Sequence, residues 1–136
     1  SSDQQRLDDK LILLVDDEEH VTEVLRSYFE RLGAEVSVLN DPELALEVIL
    51  DDPDDWDCIV TDYDMGTMNG GDLIEKVREE TDALPIFVVT ALSRRLSDPR
   101  VTEETVQGVF AKPVNMRLLS QEIAAAIDAN GQKEDV

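Results

Sequence analysis

The sequence contains a single cysteine, one tryptophan and one histidine, and aromatic residues make up only 4% of its 136 positions. A lone cysteine excludes an internal disulfide. Cys58 lies inside an apolar run, which marks it as a small buried hydrophobe rather than a redox centre. Lysine and arginine are also scarce, 12 against 32 aspartates and glutamates, for a net charge of −20. That balance argues against direct nucleic acid binding, because affinity for the backbone comes from basic side chains neutralising phosphates. It equally disfavours anionic membranes. No window of about 18 uninterrupted apolar residues exists, and no charged-then-apolar signal segment opens the chain. The sequence is therefore expected to be cytoplasmic, with no membrane insertion. The acidity has a bland source as well: a solvated acidic surface suits a high-salt cytoplasm, where screening shortens self-repulsion.

The length suits one domain with a real core and no second module. Polar residues 1–9 are expected to form a flexible lead-in, 10–130 the domain, and 131–136 a flexible tail. Within the domain, Leu11–Val15 runs straight into Asp16, Asp17, Glu18 and Glu19. Val21, Val24, Leu25, Tyr28, Phe29 and Leu32 then recur at helical spacing, with Gly33 placed to end the helix. Residues 34–39 suit a second strand. Asp41-Pro42-Glu43 supplies an N-cap, a proline at the first helical position and an early acid for a helix through Leu50. Residues 58–61 are apolar and end in Asp62, followed by a loop with Gly66, Gly70 and Gly71 and a helix carrying Leu73, Ile74 and Val77 inward. Ile86–Val89 forms a fourth strand ending at Thr90, and Val109-Phe110-Ala111 a fifth ending at Lys112-Pro113. Between them Arg94, Arg95, Asp98 and Pro99 interrupt any simple helix, although Asp98-Pro99 is a possible helix start. Asn115 caps a last helix with Leu118, Leu119, Ile123, Ala126 and Ile127 inside. Alternating strands and helices predict a five-stranded parallel sheet with helices on both faces.

In such a sheet ligands bind beyond the carboxyl ends of the strands. Asp16 and Asp17 follow the first strand, Asp62 the third, Thr90 the fourth and Lys112 the fifth. Hard cations such as Mg²⁺ take carboxylate and carbonyl oxygens. A cation, a lysine and a hydroxyl donor around a nucleophilic carboxylate meet the demands of phosphoryl transfer, which are chiefly positioning and charge stabilisation. The structural alternatives are that Asp16 or Asp17 caps the first helix, Thr90 fills a strand end and Lys112 pairs with a neighbouring acid. His20 is expected on the exposed face of the first helix, and Trp56 to pack the start of the third strand.

From Lys10 to Ala129 these motifs, taken in order, resemble the receiver domains of two-component response regulators: paired acids, Asp62 with Met65, Met68 and Gly70 following, Thr90-Ala91, then Lys112-Pro113. The resemblance implies a flavodoxin-like doubly wound (βα)5 fold. It implies Asp62 as phosphoacceptor, with Mg²⁺ held by Asp16, Asp17, Asp62 and the backbone carbonyl of Asp64, and Thr90 and Lys112 sensing the acyl phosphate. It further implies a histidine kinase or histidine phosphotransfer protein as donor, a downstream protein or fused output domain as recipient, and no enzymatic activity beyond self-catalysed phosphorylation and dephosphorylation. Three features depart from the family. Gly66 stands where proline is usual, Val109 where an aromatic residue usually couples site to output face, and residues 93–107 differ from the usual fourth helix. Val109 is short and stiff, so any output change is expected in residues 91–107. Two other readings are a haloacid-dehalogenase-like phosphatase with Asp62 as nucleophile, whose opening Asp62-Tyr63-Asp64 matches only in part, and a pseudo-receiver that only binds partners. A calcium loop fails because Thr67 stands where glycine is needed.

Overall fold

A computed structural model describes residues 6–91 and 96–134, the last three of these by backbone alone. Five strands, β1 (Leu11–Val15), β2 (Glu35–Leu39), β3 (Cys58–Asp62), β4 (Ile86–Thr90) and β5 (Gly108–Ala111), form one parallel sheet in the order β2-β1-β3-β4-β5. The described helices are α1 (Glu19–Arg31), α2 (Pro42–Asp51), α3 (Gly70–Glu80) and α4 (Met116–Glu134), with a short 3₁₀ turn at Pro53–Asp55.

Successive side chains on a strand point to opposite faces, and the three inner strands are apolar on both. Ile12, Leu14, Cys58, Val60, Phe87 and Val89 build a core with α1 and α4. Leu13, Val15, Ile59, Ile86 and Val88 build a second with α2 and α3. Trp56 packs on the second core as expected. Cys58 is fully buried, and burial pushes its thiol far above the ordinary value, which keeps it un-ionised and poorly nucleophilic.

The caps and the helix stop behave as the side chains dictate, but Val24 and Leu118, expected on the inner faces of α1 and α4, are 42% and 44% exposed. Gly33 takes φ +101 just past α1, a left-handed conformation that only glycine adopts without cost. The Asn115 side chain accepts the Leu118 N–H at 3.0 Å at the start of α4. At α2 the Asp41 side chain accepts the Glu43 N–H at 3.0 Å, with Pro42 opening the helix. Asp41→Ala is expected to cost about 1 kcal/mol, read as a lower urea midpoint at unchanged slope.

The packed chain begins before Lys10. Leu7 is only 1% exposed, its N–H donates to Leu32 O at 2.9 Å, and the Asp9 N–H donates to Gly33 O at 3.0 Å. At the other end α4 continues to Glu134.

The short helix expected from Asp98-Pro99 does not form among the described residues; 96–107 fold as turns. The Asp98 carboxylate accepts the Arg100 N–H at 2.9 Å, and it also binds the Arg100 guanidinium and the Tyr63 hydroxyl, which hold the segment as turns. Arg94, Arg95 and Ser93 lie outside the described residues. Val109 on β5 is 39% exposed, whereas Phe110 turns into the first core and meets Phe87 at 6.2 Å between ring centroids.

Candidate functional site

The sheet order changes direction between β1 and β3, because β2 lies on one side of β1 and everything later lies on the other. Val15 pairs with Thr61 across that junction, so the next residues, Asp16 and Asp62, stand side by side where the strands end. This is the topological switch point, where open α/β sheets bind their ligands. Thr90 pairs with Ala111, which brings Lys112 to the same rim.

Asp16 and Asp62 are each 4% exposed, and Asp17 is exposed. One carboxylate oxygen from each of the three lies within 4.8 Å of the others. Lys112 Nζ stands 3.2 Å from Asp16 Oδ2 and 3.4 Å from Asp62 Oδ1, with Glu18 Oε1 at 3.7 Å on the solvent side. The other oxygen of Asp16 accepts the Glu18 N–H at 2.8 Å. Asp62 Oδ1 also accepts the Tyr63 N–H at 2.8 Å. Lys112 is fixed at its root, since its N–H donates to Thr90 O at 3.0 Å, and the Lys112–Pro113 peptide is cis. Thr90 itself is completely buried.

The electrostatics follow from crowding acids at a partly dry rim. Burial first, and the Asp16 charge second, push the Asp62 carboxyl up to about 6 against the pull of Lys112. Burial also raises Asp16. Lys112 is raised although burial acts to lower it, because Asp16, Asp62 and Glu18 together favour its charged form. One lysine does not neutralise the acids around it. The donor set is all carboxylate oxygen, from the ends of two neighbouring strands, which fits a hard dication of the Mg²⁺ type.

Two glycines shape the floor. Gly66 takes φ +73 in the turn after Asp64. A side chain at Gly70 would stand 3.0 Å from Asp62 O and 3.1 Å from Tyr63 Cα, so α3 can start this close to the strand end only with glycine there. The Gly70 N–H donates to Tyr63 O at 2.7 Å. Asn69 and Asp72 close a reciprocal capping box, at 2.9 and 3.0 Å.

Asp16, Asp17, Asp62 and Lys112 are thus brought together, and Thr90 lies at the end of the neighbouring strand. Asp64 is exposed on the turn beyond β3, and His20 is exposed on α1. The structural alternatives for Lys112 and Asp16 prove compatible with the site, since Lys112 does pair with acids and Asp16 does accept a backbone N–H near α1. Sequence reasoning missed Glu18 as a contact of Lys112. It also missed a polar network beside the site joining Tyr63, Asp98, Arg100 and Asp72. Only the Asn69-x-x-Asp72 spacing hinted at part of it.

Fold and site together define a doubly wound α/β domain with an acid and lysine cluster at its switch point. The family model for the response regulator receiver domain matches residues 12–124. The chain belongs to that family: it is a receiver domain of two-component signal transduction. The regulatory protein VanRB of Enterococcus faecalis is 27% identical over 120 residues, covering 88% of this chain and 53% of VanRB. The regulator of RpoS of Escherichia coli is 33% identical over 110 residues, covering 81% of this chain and 32% of that protein. The chain therefore spans between about a third and about half of these relatives. A CheY-like receiver domain from Methanospirillum hungatei superposes with a TM-score of 0.80 at 23% identity, covering 92% of this chain and 98% of that one, a likeness of fold. No helix among the described residues is long and apolar enough to cross a membrane.

Proposed function

We propose that the domain accepts a phosphoryl group on Asp62 from a phosphohistidine of a histidine kinase or phosphotransfer protein, and that the modified domain changes its affinity for a downstream protein or fused output domain. The observation that supports this most is the placing of Lys112 Nζ within 3.4 Å of Asp62 and 3.2 Å of Asp16, with Asp17 close by. A carboxylate oxygen of Asp62 forms the new O–P bond as the P–N bond of the phosphohistidine breaks. The electron pair leaves with the imidazole nitrogen, and the product is an acyl phosphate.

Asp16, Asp17 and Asp62 would hold Mg²⁺, joined by the backbone carbonyl of Asp64. When bound there, the metal supplies positive charge between the attacking carboxylate and the phosphoryl oxygens. Lys112, already against Asp62, stabilises the phosphoryl charge, and Thr90 donates its hydroxyl to a further oxygen. The same groups serve hydrolysis of the acyl phosphate by water, so phosphorylation and its loss are both self-catalysed.

A phosphatase reading is not favoured: the chain belongs to the receiver family, and Asp62 ends the middle strand of the sheet, whereas the phosphatase nucleophile normally ends the first. The intact acid and lysine cluster counts against a pseudo-receiver.

Metal binding tests the shared site. Mg²⁺ is expected to raise the thermal midpoint in proportion to the logarithm of its concentration above the dissociation constant. Asp17→Asn is expected to weaken Mg²⁺ by about tenfold or more, since affinity at such sites follows ligand charge. Calorimetric titration reads the difference. Equal affinity in parent and variant would remove Asp17 from the ligand set.

A further inference from the structure

Residues 96–107 connect to β5 without a helix, yet they are firmly tied to α3. The Arg100 guanidinium bonds Asp98 at 2.8 and 3.0 Å, Asp72 at 2.6 Å and the Asn69 side chain at 3.3 Å. Asp98 is nearly buried, its side chain 6% exposed. The Arg100 pairing holds the Asp98 carboxyl well below the usual carboxylate range. Further along, Arg78 of α3 donates to Thr105 O at 2.8 Å. The clasp rests on bare backbone: a side chain at Gly71 would collide with the Asp98 carboxylate and stand 2.7 Å from an Arg100 nitrogen.

Tyr63 joins this clasp to the acid site. Its hydroxyl donates to Asp98 Oδ2 at 2.7 Å, and its backbone N–H donates to Asp62 Oδ1 at 2.8 Å. Between the two, its carbonyl is pinned by the Gly70 N–H. One residue therefore touches the Asp62 carboxylate with its backbone and a segment 35 residues away with its ring. Burial and the neighbouring Asp98 raise the phenol above its ordinary value, so it remains a donor, and Asp98 an acceptor, at any physiological pH.

We propose that Tyr63 is a positioning residue that couples the state of Asp62 to residues 96–107 through the Asp98–Arg100 clasp. This rests on Asp62 being the phosphoacceptor. Phosphorylation turns the carboxylate facing the Tyr63 N–H into an acyl phosphate, whose carbonyl and bridging oxygens are weaker acceptors than a carboxylate. The Tyr63 peptide loses a charge-assisted bond and shifts. Its ring carries that shift to Asp98, and because Asp98 shares Arg100 with Asp72, the grip of the segment on α3 changes with it. The segment is the element with two arrangements, clasped and released, that a switch requires.

The test uses the whole chain, Mg²⁺ and saturating beryllofluoride as phosphoryl mimic, read by amide chemical shifts. In the parent, Thr90 and Lys112 shift, and so do residues 96–107. Tyr63→Phe keeps the ring and the backbone N–H and removes only the bond to Asp98; it retains the shifts at Thr90 and Lys112 and loses those at 96–107. Arg100→Ala releases Asp98 from the other side and gives the same loss. Shifts of parental size at 96–107 in Tyr63→Phe would overturn the coupling and leave Asp62 as phosphoacceptor untouched. Loss of the Thr90 and Lys112 shifts in that variant would make the hydroxyl a determinant of binding and overturn it equally. A parent silent at Thr90 and Lys112 would instead remove the reading of Asp62, and this inference with it.

Discussion

Incubated with acetyl phosphate and Mg²⁺, the chain will gain one phosphoryl group by intact mass, and Asp62→Asn will gain none. The expectation is categorical because the amide of asparagine lacks a carboxylate oxygen to attack phosphorus. The substitution keeps the side chain's shape, and it removes a charge that the fold holds at a cost, so absence of the adduct will not reflect unfolding. Asp16 is just as buried and lies at a similar distance from Lys112. It is the buried carboxylate beside Lys112 best placed to take over, and an undiminished adduct on Asp62→Asn would point to it or to Asp17. In chelator the parent will gain far less, since one lysine cannot offset the approach of an anionic phosphoryl donor to a cluster of carboxylates.

The second large effect is on stability. In metal-free protein, Lys112→Met is expected to cost about 2–3 kcal/mol at pH 7. Removing one partner of a well-buried ion pair costs about 3–5 kcal/mol, and the lower value reflects the ability of the remaining carboxyls to take up a proton. The pH dependence fixes the sign. Asp62 titrates at about 6 in the folded chain, above its ordinary value of 3.8. Between those values the folded state binds more protons than the unfolded one, so this group makes stability fall as pH rises from about 4 to about 6, and it adds no slope above that. Without Lys112 the Asp62 carboxyl rises further and the slope extends to higher pH. The difference between parent and Lys112→Met is therefore largest at pH 7 to 8 and shrinks toward pH 4, where Asp62 is protonated and the lysine has less charge to offset. Adding Asp62→Asn to Lys112→Met recovers most of the loss. Urea unfolding in chelator across this range checks it, and a difference independent of pH would show that Lys112 contributes packing and not charge.

The parts of this molecule that were legible in its sequence are those with a local physical cause. An apolar run broken by a charged side chain marks a parallel strand and its rim, which is why the positions of Asp16, Asp62 and Lys112 are legible in the sequence. The caps at Asp41 and Asn115 are single side-chain events within three residues of their targets. Leu7 was not legible, because one leucine in a polar stretch has no period to reveal it. Neither was the Tyr63–Asp98–Arg100–Asp72 network, whose partners lie 28 to 35 residues apart where they cross between elements. Pairings of that range depend on the finished fold. At Asp98 the local signal is present without the helix: its carboxylate accepts the Arg100 N–H at 2.9 Å as a cap would, yet the chain turns away to meet Tyr63 and α3.

The proposed function reduces to one covalent bond, at the Asp62 side chain. Borohydride reduction of the phosphorylated chain converts an acyl phosphate to an alcohol and releases phosphate, so peptide mass mapping locates the modified residue directly. The result predicted is a homoserine at the position of Asp62 and at no other aspartate. A homoserine at Asp16 or Asp17, or a phosphoryl group that survives reduction on a serine, threonine or histidine, would contradict it.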